Sequence, residues 1–306
     1  MLVMGVDENG LGPRLGPLVA TSLVLETPHY RRAALCARGL ALGLTDSKDA
    51  GGFGRMAFTE SVALALLGRT GSVPSTADHL LERLWPAAGS SLRARCPNDR
   101  TAAQCWGIDT ALPAFGGDRA EGDALLDRLS GRSRLRLVEV RSRLACAGML
   151  NQKRAAGRNK LDVDLAMFED LIEAAHVDLG QPMTVICGMI GGIRDYASRF
   201  SRFDSPRVAT LPARRGQRRY RVRGLGEVRF EVDADARHLP VSLASIVGKY
   251  VREVSMLRIG EFYRQALPDL RLASGYHDPV TSRFIEQTKT SRRRLGISVD
   301  CFRRQA

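Results

Sequence analysis

The 306-residue sequence predicts an α/β protein in which a mixed β-sheet is flanked by helices, with C-terminal helices and an inserted subdomain. Three observations predict it. Apolar or alternating runs of strand length recur at residues 2–6, 17–25, 135–144 and 183–187. Between them lie stretches with apolar residues three and four apart, the spacing of a single helix face. The two patterns alternate along the chain, which favours one layered domain over separate all-α and all-β parts.

In order along the chain, residues 2–8 and about 16–26 read as a β-hairpin or meander. A helix follows over about 55–67, where Ala57, Val62, Leu64, Ala65 and Leu66 cluster. Residues 71–134 are mixed in composition, hold both tryptophans and contain short helical stretches near 77–84 and 121–129. They read as an insertion or subdomain between two portions of one domain, residues 1–70 and 135–306. Residues 135–144 alternate as a half-buried strand does. Over 160–175, Leu161, Leu165, Phe168, Leu171 and Ile172 fall on one helical face. Residues 183–187 form a buried-strand pattern that stops at Gly188, and 207–232 read as two strands around a basic turn at 214–219. A long amphipathic helix follows, with Leu243, Ile246, Val247, Tyr250, Val254 and Leu257 along one stripe.

The formal net charge of +13, with pI near 10.1, points to a polyanionic partner. Arginine carries most of it, and its planar fork pairs with phosphate in a bidentate way that lysine does not. A GC-rich genome also raises arginine content, so the charge predicts attraction to nucleic acid and not specificity. No apolar run approaches the ~20 residues that span a bilayer. Met1 enters the first strand with no charged leader, which predicts a cytoplasmic protein without a membrane partner. No protein partner is inferable from the sequence. The six cysteines are scattered without a C-x-x-C pair, which argues against a disulfide framework or a structural zinc site.

The most informative segment is Gly5-Val6-Asp7-Glu8-Asn9-Gly10-Leu11-Gly12-Pro13. A short strand delivers two adjacent carboxylates to a glycine-rich turn. Adjacent carboxylates repel, and a divalent metal between them is the commonest remedy when a strand end is buried. The same residues also suit a polar hairpin turn.

Four segments in order resemble type 2 ribonuclease H, the ribonuclease HII family. They are the opening segment with Gly16-Pro17; Asp46-Ser47-Lys48; the run from Asp235 through Ser242-Leu243-Ala244-Ser245-Ile246 to Lys249; and Ser274-Gly275-Tyr276-His277-Asp278-Pro279. Residues 71–134 lie outside the resemblance. It implies an RNase H-like fold and a two-metal site for Mg²⁺ or Mn²⁺, held by four carboxylates. Two such ions would activate the attacking water and stabilise the departing oxygen. By resemblance, Asp7 bridges both ions while Glu8 and Asp235 each complete one site. Asp233 is a spare carboxylate nearby. Gly10, Leu11, Gly12, Lys48, Lys249 and Tyr276 fall where the family contacts nucleic acid.

Two positions depart from the pattern. The remaining carboxylate is expected at the end of the central strand before a glycine, where Val185-Ile186-Cys187-Gly188 offers Cys187. A thiol is a poor ligand for hard magnesium, so the two-metal site is incomplete there. Asp195 is the nearest carboxylate in sequence, and Cys187 also fits as a buried, inert space-filler. At the turn, Leu11 stands for the family's arginine. The leucine keeps the turn, whose amides still suit a ribose 2′-hydroxyl, but drops the cation.

Tyr276 suits either substrate contact or packing under its loop, and Lys249 either phosphate contact or solvent. The basic runs at 214–219, 292–294 and 303–304 are solvated surface or a track for a nucleic-acid backbone. The expected function is hydrolysis of the RNA strand of RNA–DNA hybrids by a metal-dependent endonuclease. A noncatalytic nucleic-acid-binding relative and a nuclease for structured DNA or RNA are the other readings the sequence leaves open.

Overall fold

The computed structural model describes residues 1–44, 56–85, 104–131, 134–203 and 205–305. Strands β1 (Leu2–Asn9) and β2 (Leu18–Glu26) open the chain, followed by α1 (Arg32–Ala41), α2 (Met56–Thr70), α3 (Ala77–Leu84) and α4 (Arg119–Ser130). Next come β3 (Arg136–Ala145), α5 (Ala147–Ala155), α6 (Lys160–Leu179) and β4 (Met183–Gly188). Strands β5 (Val208–Leu211), β6 (Gln217–Val222) and β7 (Gly226–Glu231) lead to α7 (Ala234–Arg237) and α8 (Leu239–Arg264). Helices α9 (Pro279–Gln287), α10 (Lys289–Arg294) and α11 (Val299–Phe302) follow. Among the described residues, no helix is long and apolar enough to cross a membrane.

The strands form one sheet in the order β3-β2-β1-β4-β7-β6-β5. β4 lies parallel to both β1 and β7, and the other pairings are antiparallel, so the sheet is mixed as expected. The parallel centre matters for function, because it brings the C-terminal ends of β1, β4 and β7 to one edge of the molecule.

Each face of the sheet is covered. On one, Met4, Val6, Val24, Val185, Val228 and Phe230 pack beneath Leu165, Phe168, Leu171 and Ile172 of α6. Burying a side chain of this size contributes roughly 1.5–3 kcal/mol. A capping box between Asn159 and Asp162 starts α6, and Gly180 in the left-handed conformation ends it. On the other face, Val19, Leu23 and Leu25 meet α2 and α8 through Val62, Leu66, Leu243, Val247 and Val251.

The stretch at 71–134 contributes Leu80, Leu84, Leu126 and Leu129 to this second layer. Buried Glu60 ties part of the stretch down. Its carboxylate accepts the N–H groups of Ala114, Phe115 and Gly117 and the hydroxyl of Tyr250. The C-terminal helices close a smaller aromatic cluster of Tyr263, Phe284 and Phe302.

Three details differ from the sequence expectation. Residues 207–232 make three strands, because Gly224 and Gly226 (φ +83° and +126°) allow a tight turn between β6 and β7. Helices α1 and α5 stand where no helix was expected. The run at 292–294 is partly structural: Arg292 is buried, lies 3.8 Å from the Phe302 ring centre and donates to the Ile285 carbonyl.

Candidate active site

Asp7 ends the buried part of β1, and a long helix holds it in place from the side. Gly5 lets the start of α8 approach β1, since a Cβ at Gly5 would collide with the main chain of Pro240 and Val241. Farther along α8, Gly248 makes room for Asn9 and Thr21. Asn9 donates to the Ser245 carbonyl at 3.2 Å, and the Ser245 side chain hydrogen-bonds Asp7. A motif read as sequence is thus a packing device as well. Its small residues let the helix lie against the carboxylate-bearing strand.

Asp235 arrives from the next parallel strand but one. The junction between β7 and α8 is fixed by His238, which is buried, contacts Glu231 through Nε2 at 3.1 Å and meets the Tyr30 hydroxyl through Nδ1 at 3.0 Å. The bond from His238 holds the Glu231 carboxyl below its usual range against the opposing effect of burial. Asp233 takes the left-handed conformation (φ 52°) as the residue before α7, and its exposed side chain lies on the rim.

Asp7, Glu8, Asp235 and Asp233 line one open cleft of about 890 Å³, together with Gly10, Lys249, Arg252 and Tyr276. The cleft is electrostatically polarised. Burial raises the Asp7 carboxyl well above its usual range, the charge of Glu8 adds to this, and Asp235 contributes further. The Ser245 hydrogen bond opposes them without cancelling them. Lys249 is half-buried on the same wall, and burial lowers its ammonium while Glu253 pulls it back.

The donor chemistry fits a hard divalent cation. Three carboxylates line one cleft, and every donor atom they offer is oxygen. Among the described residues, no three His, Cys, Asp or Glu side chains already stand close enough to form a finished cage.

The register of the central strands sets which face Cys187 takes. In the parallel β1–β4 pair, Val6 lies beside Cys187. Paired residues share a face, and both side chains belong to the apolar layer under α6. Cys187 is fully buried there, and burial, then Asp7, Glu8 and Asp164, raise its thiol well above the usual range. The position facing Asp7 is Gly188, where a Cβ would stand 2.7 Å from Asp7 Oδ1. The strand therefore offers no ligating side chain toward Asp7. Asp195 does not line the cleft; its carboxylate accepts the Ala197 N–H in a local turn.

Leu11 turns away from the cleft and packs near Leu18, Ala145 and Leu150. Gly10 (φ +87°) lies against Arg252, whose Nε would be 2.7 Å from a Cβ there. Gly12 is exposed, with open space around it. Tyr276 is 47% exposed at the cleft mouth and covers the Arg252 guanidinium, 4.7 Å from its ring centre. Lys48 falls outside the described residues.

One residue of this site was misread in the sequence. Arg304 belongs to a basic run expected at the surface, yet its guanidinium lies beneath the glycine turn. It donates to the carbonyls of Gly10 and Gly16, and its main-chain N–H donates to Arg14. Burial, then the nearby Arg252 charge, lowers its guanidinium to about 9. No local pattern signals this, because the partners are almost the whole chain apart. Asp164 is a second surprise, fully buried on α6 with neither carboxyl oxygen hydrogen-bonded.

The family model for Ribonuclease HII matches residues 133–303, which include Asp235, Lys249 and Tyr276 and begin after Asp7 and Glu8. Among curated protein sequences, none matches the chain. Ribonuclease H2 from Pyrococcus horikoshii OT3 is a similar solved structure, with 18% identity, 99% of this chain and 92% of that chain covered, and a TM-score of 0.46. A chain of the PCNA:RNase HII complex from Archaeoglobus fulgidus shares 18% identity over 100% of this chain and 98% of its own, with a TM-score of 0.45. Bst-RNase HIII in complex with Mn²⁺ shares 16% identity over 94% of this chain and 62% of its own, with a TM-score of 0.40. The family match spans more than half of the sequence, and the chain belongs to the ribonuclease HII family.

Proposed function

We propose that this protein is a metal-dependent endonuclease that hydrolyses the RNA strand of RNA–DNA hybrids. The observation that carries the reading is the convergence of the adjacent Asp7 and Glu8 with Asp235, more than 200 residues later in sequence, on one cleft. Those three side chains would hold Mg²⁺ or Mn²⁺, which when bound supplies an activated water and stabilises the departing oxygen. Ser245 orients Asp7, and the Glu231–His238–Tyr30 chain fixes the segment that carries Asp235. Lys249 contributes positive charge on the wall, where a phosphate would pass. Tyr276, resting on Arg252, offers an exposed ring to a sugar or base at the mouth.

Gly188 supports a second reading, a nucleic-acid-binding relative with weakened or lost catalysis. It leaves the position beside Asp7 without a carboxylate, so the metal site is short of one charge. Incubating the protein with a labelled RNA–DNA hybrid and Mn²⁺, beside an Asp7→Asn control, tests the two. Manganese-dependent cutting by the wild type alone supports the nuclease. Binding of the hybrid by both proteins, with no cutting above the control, supports the weakened relative.

A further inference from the structure

The basic turn of the sequence borders a groove that the site above does not use. Along β6, Tyr220 and Val222 are buried under the α6 layer, so Gln217, Arg219 and Arg221 project from the opposite face. Along β7, Val228 and Phe230 are buried and Arg229 projects the other way. The register sets Arg219 directly across from Arg229. Like charges placed opposite each other on neighbouring strands destabilise a sheet. A single carboxylate, Glu227, stands between them and accepts from Arg219 at 2.7 Å and Arg229 at 2.6 Å. Two cations are thus held side by side with one anion, and exposed Arg214 adds a third at the turn.

These arginines line a groove of about 500 Å³ with Pro212, Ala213 and Gln217, and among the described residues no acidic side chain lines it. Its place in the sheet is informative. Gln217 pairs with Glu231, so the β5–β6 turn lies at the end of the sheet where β1, β4 and β7 deliver Asp7, Gly188 and the segment leading to Asp235. From β1 to β6 there are three strand spacings, roughly 14 Å. A B-form duplex rises 3.4 Å per base pair and an A-like hybrid less, so this separation corresponds to about four to five base pairs.

We propose that the groove of Arg214, Arg219 and Arg229 is a second anchor for nucleic acid, taking a backbone phosphate about four to five base pairs from the one at the carboxylates. The chemistry suits that ligand. Paired guanidiniums bind phosphate oxygens in a bidentate way, and a polyanion supplies the counter-charge that one carboxylate does not. The inference rests on the proposed function and deepens it, because it gives the substrate a direction across the sheet.

The test is fluorescence anisotropy of a labelled RNA–DNA hybrid in EDTA over a series of KCl concentrations. The double variant R214Q/R229Q is expected to bind about tenfold more weakly at low salt and to reduce the salt slope by about 1–2. Glu227→Gln, which frees both arginines, is expected to tighten binding and steepen the slope, a gain that a merely structural role would not produce. The loss in R214Q/R229Q should disappear on hybrids trimmed to about three base pairs or fewer on the groove side of the cleft. A thermal melt of each variant checks the fold. Unchanged slopes in folded variants overturn the anchor. So does poly-glutamate that competes as well as the hybrid, which assigns the groove to an acidic protein. Wild-type protein that cuts or binds hybrids with slopes matching the variants removes the anchor alone. Wild-type protein with no affinity for hybrids removes both the anchor and the proposed function.

Discussion

Gly5→Ala is expected to destabilise the protein by about 3 kcal/mol and to weaken the carboxylate site at the same time. The added Cβ would collide with the Pro240 carbonyl carbon and oxygen and the Val241 nitrogen. Overpacked side chains typically cost about 1–3 kcal/mol, and here the obstacles are main-chain atoms at a helix start, so the upper end applies. Ordinary carbon contacts lie near 3.5–4.0 Å, so the start of α8 must back away from β1 by about 1 Å or more. Asp235 lies five residues before Pro240 and would move with that junction, away from Asp7. Urea denaturation of both proteins, with and without Mn²⁺, measures both effects. The variant should show a lower midpoint and a smaller Mn²⁺-induced gain. A loss below about 1 kcal/mol with a full Mn²⁺ response would refute the close-packing account.

Gly188→Asp should tighten Mn²⁺ binding and raise any hybrid cutting, since its Cβ would point at the Asp7 carboxyl, 2.7 Å from Oδ1; calorimetric titration and a cleavage assay check this. Cys187→Asp, one residue earlier, should lose several kcal/mol of stability by placing a carboxylate in the apolar layer under α6, read by chemical denaturation. Burial raises the Glu227 carboxyl, but hydrogen bonds from Arg219 and Arg229 outweigh it and lower it to about 2 from 4.5. Its contribution is therefore present above pH 4.5 and lost as pH falls toward 2, about 1–2 kcal/mol after solvent screening; Glu227→Gln should flatten that acid limb of the stability profile. Arg304→Ala should speed amide exchange at Gly10 to Gly12, because it releases the Gly10 and Gly16 carbonyls; unchanged exchange would mean that the turn holds itself.

The sheet centre was legible because its cues are local. The apolar runs that became β1, β2 and β4 and the stripe of α8 follow periods of 2 and 3.6, and the motif glycines mark where helix meets strand. The face that Cys187 takes was not legible, because in a strand one residue exchanges the faces. The pairing of Val6 with Cys187, and the 2.7 Å from a Gly188 Cβ to Asp7 Oδ1, show that Gly188 is the neighbour of Asp7. Arg304, Glu60 and Glu169 were illegible for another reason. Glu169 is buried and accepts the N–H groups of Ser201, Arg202 and Phe203, a role set by the fold and invisible in its own segment. Basic runs fail similarly: Arg214 reaches solvent while Arg292 lies in the core.

Manganese titration of the wild type, Asp7→Asn and Asp235→Asn, followed calorimetrically, tests most directly whether the N-terminal carboxylates and Asp235 hold one cation site. Each substitution is predicted to weaken the same binding event by about tenfold or more, the effect of removing a charged ligand worth about 1.4 kcal/mol or more. Asp235→Asn binding manganese as tightly as the wild type would contradict the account.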